Sequence, residues 1–112
     1  MSEREINGLK IVFGEGEPSK ADLAFGESVA RVYKEKLANI AEHLANDEGM
    51  KDCFGTLSKE EIIAGLNDPI VRVTGDGDGL LTYCNHVFDD THIIDLEFDG
   101  ALESFCDVTV DG

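Results

Sequence analysis

The segment Ile70–His86, IVRVTGDGDGLLTYCNH, decides how the chain is read. Two apolar runs flank a tip in which three glycines alternate with two aspartates. An EF-hand loop needs acids at its first, third, fifth and twelfth positions and Gly at the sixth. Setting Asp76, Asp78 and Gly79 at positions three, five and six leaves Thr74 at the first and Asn85 at the twelfth. Both ends fail, and a strand rather than a helix leaves the loop. A phosphate cradle wants a Lys and a following helix, and here two carboxylates would repel the phosphate. The remaining reading is a hairpin: glycine permits positive φ, and the aspartates keep the tip in water.

Working outward, THIIDLEF (91–98) and SFCDVTV (104–110) alternate as strands do, with IVRVT (70–74) and LLTYCNH (80–86) before them. These four runs form a meander. Upstream, LKIVF (9–13) places Leu9, Ile11 and Phe13 on one face of another strand. A long helix is expected over Lys20–Asn46, capped by Ser19 with Asp22 and carrying the stripe Val29, Tyr33, Leu37, Ile40 and Leu44. Gly26 is a weak point in it. MKDCF suggests a helical turn. A short helix follows over 59–66, opened by the Ser58–Glu61 capping box and closed before Pro69. The expectation is one α+β domain over 1–112: a mostly antiparallel sheet of about five strands, β-α-α-β-β-β-β, with one long and one short helix on one face.

The apolar residues of the last two strands set a register. Pairing Leu96 with Cys106 and Ile94 with Val108 leaves a connection of 99–103. Asp95 then faces Asp107 on the solvent side, an unfavourable like-charge pair. Phe105 shares that outward face with Asp95, Glu97 and Asp107.

Charge is the strongest compositional signal. The chain of 112 residues carries a net −15, and all nine Lys and Arg lie at or before Arg72. Residues 73–112 hold ten acids and no Lys or Arg, so they contribute −10 of the −15. Such a field opposes direct nucleic-acid binding and favours a basic protein partner. The short basic strip Arg31, Lys34 and Lys36 does not offset it. No apolar run approaches the ~18 residues of a membrane span, and the charged start MSEREINGLK lacks a signal core, so a cytoplasmic address is expected. Cys53, Cys84 and Cys106 are widely spaced, without a CxxC, and read as free thiols.

Candidate chemistry is sparse. Cys84, His86 and His92 could approach one another, but a zinc site asks for a fourth ligand or a water at close geometry. Cys106 with His92 would make a nucleophile pair, and Asp95 with Asp107 an acid–base pair. His43 reads as a surface or boundary residue. No catalytic residue, metal or cofactor is assigned.

In its size, acidity and α+β layout the chain resembles small acidic bacterial immunity proteins, including those of contact-dependent growth inhibition. Its segment DPIVRVTGDGDGLLTYCNHVFDDTHIIDLEFDG also resembles uncharacterised small bacterial domains with a His-containing strand followed by Phe-Asp-Gly, here His92 and Phe98–Gly100. The resemblance implies a non-enzymatic inhibitor that occludes the active site of a basic, nuclease-like toxin. On the residues, the expected contacts are Asp76, Asp78, Asp95, Glu97 and Asp107, with Phe105 as anchor. The alternatives are a housekeeping or regulatory domain, as a homodimer or alone, and a small enzyme or metal protein.

Overall fold

A computed structural model of the chain describes residues 2–14, 16–75 and 77–111. In chain order the elements are β1 (Ser2–Ile6), β2 (Leu9–Phe13), α1 (Lys20–Ala45), α2 (Glu48–Phe54), α3 (Lys59–Gly65), β3 (Ile70–Gly75), β4 (Asp78–Tyr83), β5 (Ile93–Asp99) and β6 (Ser104–Asp111). The strands form a six-stranded sheet in sequential order. Every neighbouring pair is antiparallel except β2 and β3, which run parallel. A parallel pair needs a long crossover. That crossover holds all three helices, so they cover one face of the sheet and leave the other open.

The expected α+β layout is observed, with two additions. The first is β1, which pairs with β2 through a two-residue turn: Ile6 lies opposite Leu9, and Asn7 and Gly8 both take positive φ (52° and 79°). The second is that the helical turn expected at MKDCF is a full helix, α2, capped by Asp47, whose carboxylate accepts the Met50 amide at 3.0 Å. The other two caps form as the sequence indicates. Ser19 accepts the Asp22 amide, and Ser58 and Glu61 make a reciprocal capping box.

Helix α1 runs unbroken through Gly26, because that position is where the helix meets the sheet. A Cβ there would come within 3.2–3.3 Å of Phe13 and Ile11. Its stripe buries Val29, Ile40 and Leu44 completely. They pack with Met50 of α2 and Ile62 of α3 onto Ile11, Phe13, Val71, Leu81, Tyr83, Ile94, Leu96 and Phe98 from the sheet. Each large side chain so buried contributes roughly 1.5–3 kcal/mol relative to exposure.

The β5–β6 register differs from the expected one. Ile94 lies opposite Val110, Leu96 opposite Val108 and Phe98 opposite Phe105. Between the last two pairs β5 supplies Glu97 alone, while β6 supplies Cys106 and Asp107. This is a β-bulge, with two residues facing one. The connection 100–103 is pulled inward by Leu102, which is fully buried and held at φ 59°. Asp95 therefore faces Thr109 rather than Asp107, and the expected clash of carboxylates does not arise. Phe105 joins Phe98 on the helix side, half-buried, with its ring 5.6 Å from that of His43.

Strand β4 ends at Tyr83, so Cys84–His92 is a loop rather than strand. It folds back over α2 and α3. The Val87 amide donates to the Gly65 carbonyl at 3.1 Å, and Phe88 lies so close to Gly65 that a Cβ there would be 2.5 Å from its ring.

Candidate functional site

The open face of the sheet is assembled by strand alternation and register. Across it, Val12, Arg72, Leu80 and Glu97 form one row, and Lys10, Ile70, Thr82, Asp95 and Thr109 the next. The row at the far end pairs Asp78 with Asp99. Charge is uneven across the face. Its β1–β3 half balances Lys10, paired to Glu3 at 3.2 Å, and Arg72 against Glu3 and Glu5, while its β4–β6 half carries acids alone. Val12, Ile70 and Leu80 form a half-buried apolar strip between them.

At the acidic end a notch of about 340 Å³ opens between β4, β5 and β6. Gly79, Leu80 and Phe98 supply its apolar lining, and Asp78, Glu97 and Asp99 its carboxylates. Cys106 enters it from the bulge, and its thiol donates to Asp99 Oδ2 at 3.4 Å. That hydrogen bond, with burial and the charges of Asp99, Glu97 and Asp107, pushes the Cys106 thiol above its ordinary pKa. The side chain acts as a probe of the local potential, which is negative. From the other side, His43 Nε2–H of α1 donates to the Cys106 carbonyl at 2.8 Å and pins the bulge to the helix layer.

Of the residues expected to meet a partner, Asp78 and Glu97 line the notch with Cys106, while Asp107, next in the bulge, lines a separate groove with His43, Asn46 and Asp47. Asp95 lies one row away and is half-buried, its carboxylate accepting the Thr82 hydroxyl at 2.6 Å. Phe105 is not an outward anchor, because the bulge turns it to the helix side. Asp76 lies outside the described residues. Asp99 was legible from the alternation Asp95, Glu97, Asp99, which places all three on one face. Cys106 and His43 were not, since both depend on the bulge.

The 84–92 loop gathers two histidines and two phenylalanines. Phe54 of α2 stands edge-on to His86 and His92, with centroids 5.3 and 5.8 Å away. His86 is buried: its Nδ1 accepts the Phe88 amide at 3.2 Å, and its Nε2–H donates to the His92 carbonyl at 2.7 Å. His92 Nδ1–H donates to Asp89, whose other oxygen accepts the Thr91 and His92 amides. Desolvation pushes the Asp89 carboxyl up, but these hydrogen bonds outweigh it and hold the group below the usual carboxylate range. Cys84 points elsewhere, into a groove shared with Asp68 and Asn85. Among the described residues, no three of His, Cys, Asp and Glu are placed to hold a metal ion. Cys106 and His92 are each engaged by a different aspartate.

Among the described residues no helix is long and apolar enough to cross a membrane. Comparison with known proteins finds no matching family model, no matching curated protein and no matching solved structure.

Proposed function

We propose that the chain is a protein-binding inhibitor whose acidic half-face holds a basic protein, of the class of nuclease-like toxins. One observation carries the reading: Asp78, Glu97 and Asp99 line one notch with Cys106, on a sheet face that none of the described elements covers, and Asp107 adds its charge from the bulge. Carboxylates above an apolar base suit an Arg or Lys side chain, whose methylene stem packs while its head pairs. Leu80, half-buried beside Glu97, takes the anchoring role that Phe105 does not fill. An apolar centre with a charged rim is the usual anatomy of a binding patch. A homodimer through this face would set Asp78, Glu97 and Asp99 against their own copies, which like-charge repulsion opposes.

The test is capture of a basic polypeptide from the source cell, followed by binding to a variant with Asp78→Asn, Glu97→Gln and Asp99→Asn. The proposal expects the wild-type chain to retain a basic toxin domain and block its activity, and the variant to associate about tenfold or more slowly at low salt. Equal association by the variant contradicts it.

A further inference from the structure

We infer that the groove between the β1–β2 turn and α1 binds a small organic anion, a phosphate or carboxylate carried on an apolar body. The groove measures about 590 Å³, within the range of small-molecule sites. Buried Leu9 and Ala30 with half-buried Tyr33 and Pro69 give it apolar surface, and exposed Arg31 and Lys34 give it positive charge. It lies at the opposite ends of the strands from the acidic notch, uses none of its residues, and stands or fails independently of the docking role.

Three observations support an anionic occupant. The first is that neither cation is ion-paired among the described residues. The chain has 24 acids, and Glu27 and Glu35 sit four residues either side of Arg31 on α1. Even so, neither Arg31 nor Lys34 forms an ion pair among the described residues.

The second is a directed donor. The Tyr33 and Tyr83 hydroxyls lie 2.7 Å apart, and Tyr83 is fully buried. If Tyr33 donated, the Tyr83 proton would be stranded in the core, which is costly. Tyr83 therefore donates, and the Tyr33 O–H is left to point outward from the pair. Burial raises both phenols above their ordinary pKa, so both protons stay in place. Tyr33 thus supplies a neutral donor to a groove that Arg31 and Lys34 also line.

The third is distance from the protein's own negative field. A strand the length of β5 spans roughly 20 Å, about two Debye lengths at physiological salt. The notch carboxylates are screened over that separation. Nearer acids, Glu5 and Asp68, line an adjoining groove that shares Gly8 and Pro69. Arg31 and Lys34 of α1 would hold the charged end of a ligand, with its apolar body over Leu9 and Pro69.

The experiment is a titration of the full chain followed by amide chemical shifts, with phenyl phosphate, benzoate, inorganic phosphate and benzyl alcohol as probes. Saturable shifts at Asn7–Leu9 and Ala30–Lys34 are expected with phenyl phosphate or benzoate, and the tighter of the two identifies the headgroup. Inorganic phosphate and benzyl alcohol, each lacking half of the chemistry, should bind about tenfold or more weakly. The exposed double substitution Arg31→Gln/Lys34→Gln should weaken the organic anion by about tenfold or more while leaving other amide positions unchanged. Four results overturn the assignment: no saturable shift with either organic anion, shifts that map elsewhere, equal binding by the double variant, or equal binding by inorganic phosphate or benzyl alcohol.

Discussion

At the scale of single residues, hydrogen-bond direction and local charge make two claims that can be measured. The Tyr83 hydroxyl donates to Tyr33, so the two phenylalanine substitutions are not equivalent. Tyr83→Phe removes the donor and leaves the outer hydroxyl to water, a loss of about 1 kcal/mol. Tyr33→Phe strands a buried O–H and should cost about 1–3 kcal/mol. Denaturant unfolding of both variants checks the order, and a larger loss for Tyr83→Phe contradicts the direction. Cys106 reports the acidic notch. Its thiol is held protonated first by the Asp99 hydrogen bond, so Asp99→Asn should lower its pKa and speed its alkylation at pH values below the ordinary thiol pKa. Site-resolved mass spectrometry after iodoacetamide treatment reads the rate. An unchanged rate shows that the carboxylates do not control the thiol.

At the scale of elements, the sequence discloses whatever depends on short-range periodicity. The α1 stripe, the Ser19 and Ser58 caps, and the inward faces of β2, β3 and β5 all follow from spacing. Strand β1 was also legible in principle: Asn7–Gly8 between SEREI and LKIVF is a two-residue hairpin signal, masked by the polar character of its first strand. The β6 register was not legible. Phase along SFCDVTV is broken by the Cys106–Asp107 bulge, and alternation alone cannot reveal an inserted residue. One slipped residue reverses a strand's faces, which is why Phe105 was expected outside and lies inside. The 84–92 loop was missed for a related reason. His86 is buried and Phe88 half-buried against α2 and α3 by tertiary contacts, not by strand pleat. Its clasp has a pH signature. The folded-state pKa of Asp89 is depressed, so its contribution is present above the unfolded carboxylate value of 3.8 and lost as pH falls through the lower folded value. The acid step that Thr91 and His92 amide shifts share should have its midpoint below pH 3.8. In Asp89→Asn the step should vanish. A wild-type midpoint at or above 3.8 contradicts the clasp.

At the scale of the whole molecule, one topological fact organises the rest. All helices lie in the single β2–β3 crossover, so one sheet face is core and the other is open. The concentration of acids after residue 73 was plain in the sequence, but their convergence was not, because it needs β4, β5 and β6 to be neighbours in the observed register. The direct measurement is the association rate of the captured basic partner with the wild-type chain and with the Asp78→Asn/Glu97→Gln/Asp99→Asn variant, from about 0.02 M to about 0.5 M salt. A steep fall with salt for the wild type, and a slower, flatter rate for the variant that meets it at high salt, is the expected result. Rates that are equal for the two proteins and insensitive to salt would contradict the acidic half-face as the docking surface.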